Sequence, residues 1–234
     1  MTFSPYLDTL LFAVLPYVAM VVFLLGTILR YREQSFTYSS LSSQLLENRH
    51  HFWAVVPFHF GIIVVLLGHL IAFLIPRHIL LWNSSPLRLY VLEATALAFG
   101  LATLIGFLGI IVRRLTDHKV RSVTSRADWI VYTLLLLQFL TGLDTAITYR
   151  WGSGWFAALA APYLWSLVKL SPQIGLITPL PWMVKLHIVN AFVLIAVFPF
   201  SRLVHILVVP NHYLWRRRQV VRWYGRPAGA VGEK

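Results

Sequence analysis

The sequence predicts an all-α integral membrane protein with five transmembrane helices. Three observations lead there. Of the 234 residues, 58% are hydrophobic and only 12% are charged. The mean hydropathy is +0.71. Apolar runs long enough to cross a bilayer recur five times. A soluble domain of this length has too little interior to hide so much apolar surface, so lipid must solvate part of it.

A helix needs roughly 20 apolar residues to span the hydrocarbon core. The qualifying runs extend from about Thr9 to Leu29, Trp53 to Ile75, Tyr90 to Val112, Trp129 to Thr148 and Met183 to Val209. Between the fourth and fifth lies an apolar, aromatic stretch broken by Pro162, Pro172, Pro179 and Pro181. Its first half reads as a short helix lying at the membrane interface, not as a sixth span. No repeat or linker divides the chain, so residues 1–234 form one domain with a basic tail from about 210. The opening MTFSPYLDTL carries no Lys or Arg before its apolar run, unlike a cleaved signal peptide.

Lys and Arg set the orientation. Fifteen of the twenty fall in the loop after the first run (Arg30, Arg32, Arg49), the loop after the third (Arg113 to Arg126) and the C-terminal end from Arg202. The remaining five, Arg77, Arg88, Arg150, Lys169 and Lys185, fall on the other side. The N-terminus is therefore expected outside and the C-terminus in the cytoplasm. Trp53, Trp82, Trp129, Trp151 and Trp182 cluster near the span ends, as an interfacial belt does. The net charge of +12 is thus a topology signal and not a nucleic-acid stripe.

The chain has no cysteine. That excludes disulfides, cysteine-ligated iron–sulfur clusters, covalent c-type haem and cysteine zinc sites within it. Any metal needs His, Met or carboxylate ligands, which directs attention to the nine histidines. His59 and His69 lie inside the second run, and His187 and His205 inside the fifth. A single intramembrane histidine is as readily an interhelical hydrogen bond as a ligand. Two pairs on two helices favour ligation, since polar side chains at bilayer depth need a partner and neutral imidazole suits haem iron held between helices.

The two helices run antiparallel, so the expected pairs are His59 with His205 near the inner face and His69 with His187 near the outer. Straight helices do not match: His59 to His69 spans about 15 Å and His187 to His205 about 27 Å. A kink at Pro199 is the expected remedy. His50, His51, His78, His118 and His212 fall at boundaries or in cytoplasmic segments and read as solvated or interfacial. Glu93 and Asp144, near span ends, are candidates for a proton path, although a structural hydrogen bond is the expected role. Arg202, three residues before His205, is a candidate partner for an inner haem propionate; the alternative is a positive-inside arginine with no such role.

Several stretches together carry a family resemblance: PYVAMVVFLLGTILRY (16–31), SSQLL (42–46), FHFGIIVVLLGH (58–69) followed by Pro76, RRL (113–115), RAD (126–128) and FPFSRLVHILVVP (198–210) followed by YLWRRRQVVR. Over nearly its whole length the chain resembles the cytochrome b (gamma) subunit of membrane-bound respiratory nitrate reductase. The resemblance implies two b-type haems on the four histidines in the pairing above. It implies quinol oxidation near the outer haem, in a pocket bordered by Gly68 and His69. Electrons would pass to a cytoplasmic iron–sulfur beta subunit and a molybdopterin alpha subunit, in a prokaryotic cytoplasmic membrane. The family pattern places a lysine after the second helix, close to the quinone, but residues 76–92 contain none. Arg77, Arg88 and Tyr90 are the hydrogen-bonding residues there, with Arg88 and Tyr90 the candidates to contact quinol. The sequence leaves open another molybdoenzyme complex, reverse flow from nitrite oxidation to quinone, or a haem-free anchor or transporter.

Overall fold

The computed structural model describes residues 4–34, 37 and 51–208. The SSQLL stretch, Arg49, His50, Val209, and the basic tail with His212 lie outside the described residues, as does the side chain of His51. Among the described residues every regular element is helical.

Five helices are long and apolar enough to span a bilayer. Helix α1 covers Pro5–Gln34. It starts at Ser4, whose Oγ accepts the Leu7 N–H at 3.3 Å, with Pro5 in the first turn where its missing N–H costs nothing. Helix α2 covers His51–Leu74 and stops ahead of Pro76. Ile75 takes φ −129° and ψ 55°, since the residue before a proline is pushed out of the helical region. The short α3 (Pro76–Trp82) leads into α4 (Pro86–Thr116). A small α5 (His118–Ser122), capped by Asp117, turns the chain into α6 (Arg126–Thr148). A capping box starts α6: Asp128 N–H donates to Ser125 Oγ, and Ser125 N–H donates back to Asp128 Oδ2 at 2.8 Å.

The stretch read as a short interfacial helix is helical over 152–168, with a wide π turn at Phe156–Ala160. This helix, α7, packs against α2, α3 and α4. Tyr163 reaches from it to donate its hydroxyl to the Phe12 carbonyl at 2.7 Å, inside a second π turn in α1. Burial pushes the pKa of that hydroxyl up, which keeps it a donor. Phe12, Tyr163, Ile177, Val184 and Phe192 form the core between α1, α7 and the fifth spanning helix.

Helix α8 covers Trp182–Val197. The sequence expectation of one fifth helix continuing to Val209 is corrected here. After Val197 comes a 3₁₀ turn (Phe198–Phe200), an extended Ser201 (φ −113°, ψ 175°) and a second 3₁₀ segment, Arg202–Val208. Pro199 cannot donate the helical bond, and the break falls where it sits. Backbone groups released inside a bilayer must find partners. Arg30, on α1, supplies them: its Nη1 donates to the carbonyls of Pro199 at 2.6 Å and Ser201 at 2.8 Å.

Helices α2 and α4 make the closest contact in the bundle. A Cβ on Gly106 would lie 2.5 Å from Phe58 N and 2.7 Å from Ala54 O; one on Gly61 would lie 2.7 Å from Phe99 O. The absence of side chains at these positions lets two backbones touch, a packing mode that works without a hydrophobic driving force between helices. Away from that seam the apolar side chains face outward: Ile63, Leu66 and Ile105 are more than half exposed, as lipid-facing residues are.

Gly106→Ala is expected to force α2 and α4 apart and cost about 1–3 kcal/mol. Gly154→Ala, where an added Cβ meets nothing within 4 Å, is expected to be neutral. Thermal unfolding of the detergent-solubilised protein checks this, and equal midpoints for the two variants would contradict the packing argument.

Candidate functional site

Two imidazoles come together at one end of the bundle. The rings of His59 and His205 have centres 6.5 Å apart, with planes at 65°. Each ring is held through Nδ1 by a backbone carbonyl: Val55 O at 2.8 Å for His59 and Arg202 O at 2.6 Å for His205. A neutral ring donating from Nδ1 keeps its lone pair on Nε2, which is how protein scaffolds prepare histidine for a metal. Metal–imidazole bonds of about 2 Å put two rings on one metal about 6 Å apart, centre to centre. The break after Val197 sets this pair: His205 rides on the 3₁₀ segment and not on a continuation of α8.

The other histidine of α2 is held in the same way. His69 Nδ1 donates to Val65 O at 2.8 Å. Its ring meets Phe156 edge-on, with centres 5.3 Å apart. His187 lies on α8. With Nδ1–H donating to Thr141 Oγ1 at 3.1 Å, His187 Nε2 accepts from the Gln138 amide at 3.1 Å. Gly142 lies against this ring: a Cβ there would stand 2.9 Å from His187 Cε1.

The donor set fits bis-imidazole iron. In three of the four histidines Nδ1 is tied and Nε2 has no hydrogen-bond partner among the described residues; the fourth would exchange one amide hydrogen bond for a metal. Among the described residues no cluster of three or more His, Asp or Glu side chains offers a competing metal site.

The remaining sequence candidates fall in different places. Gly68 sits beside His69 in open space: a Cβ there meets nothing within 4 Å. Arg88 is bound into the loop between α3 and α4. Its Nε donates to Trp82 O at 2.9 Å, its Nη2 bonds Ser84 Oγ at 3.1 Å, and its guanidinium lies over the Trp82 ring. Tyr90 packs against Trp151, with ring centres 5.3 Å apart. Arg202 pairs with Asp128 (Nε to Oδ1, 2.8 Å) and donates to Val123 O at 2.8 Å, so its best-defined partners are protein groups. Asp144 accepts from Thr148 and Glu93 from Ser153, the structural hydrogen bonds expected of them.

Sequence reasoning missed the polar cluster around His187. Gln138 and Thr141 reach it from α6, and Asn190 Nδ2 donates to Gln138 Oε1 at 2.7 Å. The signal was present, since a glutamine and an asparagine inside apolar spans need a reason to be there. Phe156 was also missed. Only the folding of α7 over the outer end of α2 brings it to His69.

Comparison with known proteins assigns the chain to a family. The family model for the nitrate reductase gamma subunit matches residues 8–224. The respiratory nitrate reductase 2 gamma chain of Escherichia coli (strain K12) is 33% identical over 222 residues, covering 93% of this chain and 97% of that one. The nitrate reductase gamma chain of Bacillus subtilis (strain 168) is 30% identical over 216 residues, covering 91% and 97%. The respiratory nitrate reductase 1 gamma chain of E. coli K12 is 31% identical over 227 residues, covering 93% and 98%. A multi-pass membrane protein with this coverage belongs to the nitrate reductase gamma subunit family.

Proposed function

We propose that this chain is the dihaem cytochrome b subunit of a respiratory nitrate reductase, N-terminus outside and C-terminus in the cytoplasm. It takes electrons from membrane quinol at its outer end. It delivers them to an iron–sulfur beta subunit on the cytoplasmic side, which serves a molybdopterin alpha subunit. The observation that carries this reading is the inner pair: two carbonyl-tethered imidazoles facing each other across 6.5 Å.

His59 with His205, and His69 with His187, would each hold one b haem. Two such groups supply a one-electron relay across the membrane, and bis-histidine ligation leaves no open position for oxygen. The carbonyls of Val55, Val65 and Arg202 fix ring tautomer and direction, while Thr141 and Gln138 do so for His187. Gly68 leaves the flank of His69 clear for a planar ring to approach. Protons given up by quinol at this end stay outside while electrons move inward, so charge is separated without a proton channel through the chain.

Haem content per mutant tests the pairing. His69→Ala and His187→Ala should each remove the outer haem and leave the inner one; His59→Ala and His205→Ala should do the reverse. Loss of the same haem in His59→Ala and His69→Ala would break the assignment. Gly142→Ala should lower outer-haem occupancy selectively, because the new methyl displaces the His187 ring. Gly68→Leu should keep both haems yet slow their reduction by a quinol analogue at least tenfold in stopped-flow measurements. Normal reduction in that variant would move the quinol site elsewhere.

A further inference from the structure

The outer end of the bundle holds a carboxylate that the arrangement above leaves without a chemical role. Glu93 lies on α4, and its height in the bundle follows from the glycine contacts. Gly61 of α2 stands opposite residues 99–103 of α4. The two helices are antiparallel. Stepping eight residues outward on each brings α2 to His69 and α4 to residues 91–95, centred on Glu93. Arg88 and Tyr90 lie further toward the outer end on the same helix, and Arg88 is already committed to the loop carbonyls.

A third element closes the arrangement. Glu93 Oε1 accepts from Ser153 N–H at 2.8 Å and from Ser153 Oγ–H at 2.6 Å. Ser153 opens α7, and one turn later on that helix Phe156 meets the His69 ring. Glu93, Phe156 and His69 therefore converge from α4, α7 and α2. The two carboxylate oxygens differ. Oε1 is fixed by two donors. Oε2 faces Gly152, where even an added Cβ would keep 3.6 Å of clearance. Ser153 Oγ also accepts from Asn83 Nδ2 at 2.9 Å, and Asn83 Oδ1 is buried without a hydrogen-bond partner. Asn83, Ser153 and the Glu93 carboxylate thus form one hydrogen-bonded chain.

We propose that Glu93 is the proton acceptor for quinol oxidised beside His69, with Oε1 anchored by Ser153 and Oε2 receiving the proton. This rests on the quinol-oxidising reading above. In the step, one quinol O–H bond breaks and an O–H bond forms at Oε2. The two electrons would leave one at a time to an iron held by His69 and His187, which would pass the first on to the iron held by His59 and His205 before taking the second. The second proton goes to water on the outer side, and Glu93 returns its own proton there, so quinone, two protons and two electrons account for the quinol consumed.

The test uses the complete complex in membranes, with duroquinol as electron donor and dithionite as a reductant that needs no proton acceptor. Glu93→Gln keeps the shape and an oxygen for Ser153 but cannot take a proton. It should slow duroquinol-driven haem reduction about 100-fold, the lower end for a positioned acid–base group. Haem content and dithionite reduction should be unchanged. Ser153→Ala, which removes one anchor and leaves the carboxylate, should slow it only a few-fold. In the unsubstituted complex, duroquinol should raise a protonated-carboxyl band in the infrared difference spectrum, shifted in Glu93→Asp. That band decides the matter if Glu93→Gln fails to assemble. An unchanged rate in Glu93→Gln, equal slowing in Glu93→Gln and Ser153→Ala, or no carboxyl band would each overturn the inference. If the unsubstituted complex takes electrons from dithionite but none from duroquinol, the quinol reading itself fails, and this inference with it.

Discussion

The seam between α2 and α4 is the constraint on which the rest depends. Hydrocarbon gives two apolar helices no reason to prefer each other over lipid, so the pair must be held by close contact. Gly61 and Gly106 provide it by letting backbones meet. Because the contact is between backbones, it fixes height as well as proximity. That height sets which α4 residues stand level with each histidine of α2. It places the Phe58 and Phe107 rings together near the inner pair, with centres 5.6 Å apart, and Glu93 level with the outer one.

A second constraint follows from the first. Once α2 presents two histidines ten residues apart, a straight partner helix cannot meet both with residues eighteen apart. The chain resolves this by giving up helix after Val197. Inside a bilayer that choice is expensive unless the released carbonyls are bonded, and Arg30 from α1 bonds two of them. An arginine that by count belongs to the positive-inside set is thus also part of the architecture that positions His205. The basic loops and the ligand geometry are not separate features of this chain.

Much of this was legible in the sequence. Five spans and the interruption near Pro199 follow from hydropathy and the missing N–H of proline. The extent of the interruption was not legible. A proline alone predicts a kink, whereas an extended Ser201 and a second 3₁₀ segment depend on Arg30 being within reach, which is tertiary information. The same holds for the outer end. That a helix follows the fourth span was legible, but the folding of residues 152–168 over α2 depends on the Trp165 indole reaching the Phe73 carbonyl at 2.9 Å and on Glu93 bonding Ser153. Arg88 and Tyr90 attracted attention because they fill a gap in a sequence pattern. Glu93 stood out in the sequence beside Asp144 for its place near a span end, and only helix register puts it level with His69.

Asp128 joins two parts of the inner end that otherwise have little in common. Its Oδ2 closes the capping box that starts α6, and its Oδ1 holds Arg202, three residues from His205. One carboxylate therefore serves both a helix start and the segment carrying a ligand. Fraying of the first turn of α6 withdraws the anchor of that segment, and displacement of the segment exposes the cap. The two events share one free energy and are expected to open as a single cooperative unit. Local breathing at this end of the bundle is in this way linked to the segment that carries His205, so a contact that stills the α5–α6 turn would also steady His205 without touching it.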